Sequence, residues 1–252
     1  MTHLSTRSKQ NIFFFLGILL IFIIWFILTA FDDNIFFPGI DDTIIDIGRL
    51  LGESDSWLII ILTIAKALLL IIISFIIGFI LAVLSYKISY IRSFISPAIA
   101  IMRSTPVASV ILLLILLVGS KLAPYFISLL VIIPIAYENI YSSFKAIDND
   151  VVDETKLISN INLKIILSVF VPISYNYLIS SLLTCFGLTL KVLVMSEVLT
   201  QGHMTMGGSI QIAKSTLDLT RVFSWSIILV IIVLIVEALI KMCEKRIQKT
   251  KA

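Results

Sequence analysis

Trp57–Tyr86 reads WLIIILTIAKALLLIIISFIIGFILAVLSY, an apolar run interrupted by one charge, Lys66. Roughly 20 mainly apolar residues cross ~30 Å of hydrocarbon at a rise of 1.5 Å per residue, and this run exceeds that length. It therefore tilts or extends into the cytosol. The whole chain repeats the pattern: 59% of residues are hydrophobic and only 14% charged, and mean hydropathy is +1.11. A soluble globule around one core cannot accommodate that composition, so the surplus apolar surface requires lipid. Glycine and proline are sparse, and the long Ile/Leu/Val/Phe runs suit helices rather than the short alternating strands of a membrane barrel. The expected fold is an all-α polytopic membrane bundle.

Working outward, further runs complete about six expected transmembrane helices. Asn11–Ala30 precedes the quoted stretch and follows Arg7 and Lys9. It is too long for the apolar part of a signal peptide and no A-x-A site follows, so it reads as a retained anchor. Beyond the quoted stretch, Phe94–Gly119 contains Pro97 and Pro106, either of which kinks a helix or marks a break. Leu122–Tyr141, a span within Ile165–Leu199, and Val222–Met242 follow. Domain limits are drawn accordingly: 1–56 as anchor helix and extracytoplasmic connector, 57–246 as membrane core with a cytosolic loop at about 142–168, and 247–252 as a basic cytosolic tail.

Six spans place Arg7, Lys9, Lys87, Arg92, Arg103, Lys145, Lys156, Lys164 and the Lys241–Lys251 cluster on one side, against Arg49, Lys121, Lys214 and Arg221 on the other. Positive charge concentrates in cytoplasmic loops, so both termini are expected in the cytosol. The formal net charge of +3 lies between apolar runs rather than along a soluble face, which points to lipid headgroups and not to nucleic acid. Acidic residues after the first run, among them Asp41, Asp42 and Asp46, read as a solvated connector with one amphipathic helix. Cys185 and Cys243 lack metal-ligand spacing, His3 and His203 lack partners, and no cofactor or metal is indicated.

Ionisable residues inside the runs are Lys66, Lys191 and Glu197. Each costs at least ~2.5–3.5 kcal/mol at mid-membrane and needs a partner or water. Lys191 either lines a polar path or takes part in a structural ion pair. Glu197, six residues on, suits pairing across helices better than pairing with Lys191. Lys66 either snorkels or pairs structurally, and Met204 and Met206 follow at the outer end as gate candidates.

Between the fourth and fifth spans lies SFKAIDNDVVDETKLISNINLKIILSVFVPI, Ser143–Ile173, the one cytosolic loop that mixes acids, bases and apolar residues regularly. Val152, Thr155, Lys156 and Ser159 have helical spacing, Asn149 or Asp150 suits an N-cap, Ser159-Asn160 suits a helix end, and a second helix restarts near Asn162. Two short helices at an angle make a knob that another protein can grip; an amphipathic connector lying on headgroups is the other reading.

This loop resembles the hallmark of the permease subunits of binding-protein-dependent ABC importers, nitrate/sulfonate/taurine-like group: E-A-A, three residues, Gly, nine residues, I-x-L-P. The register falls on Asp153-Glu154-Thr155, Ser159 and Val169-Phe170-Val171-Pro172, with Asp for the leading Glu and Ser for Gly. Ala146-Ile147-Asp148, Met102-Arg103-Ser104-Thr105-Pro106, Gly119-Ser120, Gly187-Leu188-Thr189-Leu190-Lys191, Glu197-Val198-Leu199 and Gly207-Gly208-Ser209-Ile210 extend the likeness over roughly 57–246. The resemblance implies a bacterial inner-membrane protein that pairs with a second permease copy around a central path. It implies two ABC ATPase subunits that grip Val152, Asp153, Glu154, Thr155, Lys156, Ser159, Asn160 and Pro172, with Val152, Thr155 and Ser159 as the inserted face, and an extracytoplasmic solute-binding protein. The path would use Lys191, Glu197, Met204 and Met206, and the solute would be a small anion such as a sulfonate or nitrate. ATP chemistry would sit in the partner, since no G-x-x-x-x-G-K-[ST] occurs. Against this stand an intramembrane enzyme, although H-E-x-x-H, G-x-S-x-G and a paired intramembrane Asp are missing, and a membrane scaffold or vitamin-importer coupler.

Overall fold

The computed structural model describes residues 6–31, 37–158 and 162–251, and every regular element among them is helical. In chain order these are α1 (Thr6–Phe31), α2 (Ile40–Gly52), α3 (Ser54–Lys87), α4 (Ser89–Ser104), α5 (Val107–Val118), α6 (Ala123–Lys145), α7 (Asn149–Ile158), α8 (Leu163–Ile165), a π turn (Ile166–Phe170), α9 (Val171–Ile173), α10 (Tyr175–Thr200), α11 (Met206–Ser215) and α12 (Leu219–Lys251).

Four helices are long and apolar enough to cross a membrane alone: α3, α6, α10 and α12 over Leu219–Met242. The predicted third span is two helices bent by 99°, α4 and α5, which make a fifth crossing only as a broken pair. The break falls at Pro106 and not at Pro97, which α4 carries internally. Thr105, just ahead of Pro106, takes the extended conformation (φ −76°, ψ 127°) that proline imposes on its predecessor, and α5 starts immediately after. The expected first span lies in α1, whose described apolar stretch is Phe15–Ala30, about 24 Å of helix. The expectation of about six spans therefore resolves into four unbroken crossings, one bent pair and this shorter apolar helix.

The core has two halves. Toward one end Leu70, Ile71, Phe186, Leu190, Leu193 and Trp225 pack together from α3, α10 and α12. Toward the other, Tyr137, Ile140, Phe144, Ile166 and Phe170 form an aromatic-rich cluster, in which Tyr86 meets Phe170 edge-on at 5.3 Å. The two central helices approach closely at Gly78. A Cβ there would lie 2.9 Å from both the Ala136 Cβ and the Tyr137 nitrogen, so α3 and α6 can meet at this distance only without a side chain.

The acidic connector folds as the expected amphipathic helix, α2. It docks on α12 through Asp46, whose Oδ1 accepts from Arg221 Nη2 at 3.0 Å, and through the Ser224 hydroxyl donating to the Thr43 carbonyl.

Candidate functional site

Two regions carry the predicted functional residues, one along α10 and one on the loop after α6.

On α10, Ser180, Thr184, Lys191 and Met195 are exposed, with Leu188 half-buried between them, while Cys185, Phe186, Leu190, Leu193 and Val194 face the core. The exposed positions recur at three and four residues and so share one side of the helix. Lys191 has no ion-pair partner among the described residues. A bare ammonium roughly 14 Å from the helix end by rise per residue disfavours lipid contact on that side by at least ~2.5–3.5 kcal/mol.

Two turns further on, Glu197 is buried, and its Oε1 lies 3.3 Å from Lys66 Nζ on α3. Its other oxygen accepts from the Gly207 backbone N–H at 3.4 Å, at the start of α11. Thr205 caps α11, its hydroxyl accepting from Gly208 N at 2.9 Å. Glycine is required at 207 and 208 because a Cβ on either would collide with Glu197, Val194 or the Gly202 carbonyl. Glu197 thus ties α3, α10 and α11 together.

Beside this pair opens a cavity of about 470 Å³, lined among others by Lys66, Lys121, Tyr125, Glu197, Gln201 and His203. Met204 is exposed on the adjoining turn in a left-handed conformation (φ 49°). Met206, expected as a gate residue, is fully buried in the core cluster, where its side chain packs against α3 and α10 rather than lining the cavity.

The loop after α6 forms the expected helix pair. The N-cap of α7 is Asp148, not Asn149 or Asp150: its carboxylate accepts from the Asp150 N–H at 3.2 Å, the position of an Asx cap two residues ahead of its donor. Asn162 restarts the chain, its side chain accepting from Ile165 N at 3.0 Å. Asp153, Glu154, Lys156 and Leu157 are exposed, Leu157 at 87%. Val152, by contrast, packs against the aromatic cluster, and Thr155 is buried with its hydroxyl donating to the Val151 carbonyl. The face expected to enter a partner is therefore turned inward at these two positions, because α7 uses its small and apolar residues to seat itself on the chain's own core. Ser159 and Asn160 lie outside the described residues. Asp153 accepts a 2.8 Å hydrogen bond from Lys156, and its carboxylate holds that ammonium above the ordinary lysine value.

Pro172 is exposed just after the π turn. Its missing N–H leaves the preceding helix without one i→i−4 bond, and the wider turn Ile166–Phe170 accommodates the loss. The same turn delivers Phe170 to the core.

Residues 74–249 match the family model described as binding-protein-dependent transport system inner membrane component. The chain belongs to this family. No individual curated protein matches it. As a permease of binding-protein-dependent transport the chain is an integral membrane protein, and the family match runs from the middle of α3 through α12, covering α10 and the loop after α6 but not Lys66.

Reading Lys66 and Glu197 separately missed their pairing. The available signal was coarse: Lys66 lies in the first half of α3 and Glu197 in the second half of α10, and antiparallel helices bring those halves side by side.

Proposed function

We propose that the chain is the solute-conducting subunit of an ATP-driven importer: its α10 stripe lines a path completed by a second copy, and its α7–α9 knob receives a separate ATPase. Solute arrives from an extracytoplasmic binding protein, and both termini lie in the cytosol of a bacterial inner membrane. The observation that carries this reading is the unpartnered Lys191 on a stripe with Ser180 and Thr184. Such a face needs water or protein against it, and water in a path between two copies supplies that. A cation there suits an anionic solute, with a sulfonate or nitrate as the class that the sequence resemblance names.

The knob supports the second half of the reading. Asp153, Glu154, Lys156 and Leu157 are the side chains it presents outward, so in contact with an ATPase they act first, while Val152 and Thr155 hold the helix beneath them. Pro172, through the π turn, sets where the knob joins the core.

Purification of the chain from its native membrane tests the proposal. A stoichiometric ATP-hydrolysing subunit should accompany it and be lost when Asp153, Glu154 and Leu157 are replaced together by alanine. An isolated chain that hydrolyses bonds on its own would support the intramembrane-enzyme alternative instead.

A further inference from the structure

The cavity beside Lys66 and Glu197 is complete within one chain, formed by α3, the start of α6, the end of α10 and the turn before α11. Glu197 and Thr200 face it from the side of α10 turned away from the Lys191 stripe, as the helical period requires. It is therefore a compartment apart from that stripe. Two turns make its exposed edge: Ser120 and Lys121 between α5 and α6, and Gln201 and His203 between α10 and α11. Pro124 and Tyr125, in the first turn of α6, wall it.

Two lysines face this space against one carboxylate. The carboxylate is already engaged, since Lys66 and the Gly207 N–H hold its two oxygens. Lys66 is the less buried partner of that pair, and its ammonium has protons beyond the one directed at Glu197. Lys121 has no ion pair among the described residues. The Tyr125 hydroxyl, the Gln201 amide and the His203 ring likewise have no side-chain hydrogen bond among them. The cavity thus collects N–H and O–H donors without an acceptor to match, the arrangement that suits an anion. Its volume of about 470 Å³ falls among sites that take organic ligands, ~300–1,000 Å³, and far exceeds the needs of a bare inorganic oxyanion.

We propose that this cavity is a receiving site for an organic oxyanion, a sulfonate or carboxylate carrying an apolar body. Its charged end meets Lys121 and the open side of Lys66 and accepts from the Tyr125 hydroxyl, while Pro124 and the tyrosine ring wall the body. That the anion is the transported solute rests on the importer reading above; that the cavity binds it does not.

Thermal unfolding of the full chain with its co-purifying subunits, in detergent at constant ionic strength, provides the test. Cyclohexanesulfonate should raise the unfolding temperature saturably, whereas nitrate and the uncharged cyclohexanol should not. Lys121→Met, which has no ion pair to lose, should raise the half-saturating sulfonate concentration about tenfold, and Tyr125→Phe about threefold. Lys214→Met, which removes a cation of α11 outside the cavity, should leave it unchanged. A shift that does not saturate, or one untouched in Lys121→Met, overturns the site. An equal shift from nitrate overturns the organic class, and an equal shift from cyclohexanol the anionic one. A tetraglutamate peptide that saturates at lower concentration than the sulfonate hands the cavity to an acidic side chain of a protein partner and overturns the assignment to a free anion. Failure of the sulfonate with a stoichiometric ATPase still bound removes the site and leaves the importer reading standing; a saturable shift in a chain that retains no ATPase does the reverse.

Discussion

Glu197 is the residue that ties this end of the bundle together, since it accepts from both a lysine side chain and a backbone N–H contributed by other helices. Removing one partner of a buried pair leaves the other charge uncompensated, at a cost of about 3–5 kcal/mol when both are deeply buried. Lys66 keeps 23% of its side-chain surface and Glu197 only 3%, so the losses should be unequal. Lys66→Met strands the deeper charge and should destabilise by about 3 kcal/mol. Glu197→Gln leaves the less buried ammonium and still accepts from Gly207, so it should cost less. Denaturant unfolding in micelles should show the double variant recovering more than 1 kcal/mol relative to the sum of the single losses; simple additivity would mean that the pair does not couple. Lys191 differs in kind because no ion-pair partner among the described residues answers it. Lys191→Met should reduce ATP-driven anion uptake at least tenfold, about 1.4 kcal/mol of lost attraction, with assembly and ATPase binding intact. A variant that fails to accumulate would instead make Lys191 part of a structural contact between copies. That these three charges need partners was legible in the sequence from hydropathy alone. Which partner each takes was not, because Lys66 and Glu197 are 131 residues apart and meet only through helix packing.

At the scale of elements, the chain marks its helix ends more plainly than the faces of its short helices. Pro106 fixed one boundary through its predecessor's conformation, and Asn162 another through its side-chain cap. The cap at Asp148 escaped because three consecutive residues, Asp148, Asn149 and Asp150, are equally good cap types, and only the backbone N–H of Asp150 selects among them. The face of α7 was misread for a related reason: Val152 and Thr155 have the spacing of any shared helix face, and spacing does not distinguish a face sealed by the chain from one offered to a partner. The knob nevertheless supports a sharp test at Ser159. Ser159→Trp should leave membrane insertion intact and sharply reduce ATPase co-purification or solute-stimulated hydrolysis, whereas Ser159→Gly, which adds no volume and permits the turn, should behave as wild type. Normal ATPase binding and uptake by the tryptophan variant would remove the loop as the coupling surface.

For the whole molecule, the charges predicted for opposite membrane faces lie at opposite ends of the bundle. Lys121 lines the cavity beside Glu197 at one end, whereas Arg92 and Lys145 line an open cleft at the other. The orientation of that axis in the cell is open to direct labelling, since Asp41 and Asn149 are both exposed. In intact cells Asp41→Cys should react with an impermeant thiol reagent and Asn149→Cys should react only after lysis; equal labelling of the two would sink the proposed orientation. The all-helical bundle was readable from composition, but the bend between α4 and α5 was not, because a proline reports where a helix stops and not the direction in which the chain resumes. That bend has a consequence for the membrane itself. With 12 residues, α5 reaches about 18 Å, well short of ~30 Å of hydrocarbon, and α4, nearly perpendicular to it, adds little depth. A crossing by this pair requires the bilayer to thin locally beside it, or to draw α4 inward, at a cost that rises with every ångström of hydrophobic mismatch. Lipid acyl-chain length then becomes a control on the protein: in vesicles of otherwise equal headgroup composition, uptake should be faster with shorter monounsaturated chains than with longer ones, and the difference should shrink when α5 is lengthened by one apolar helical turn.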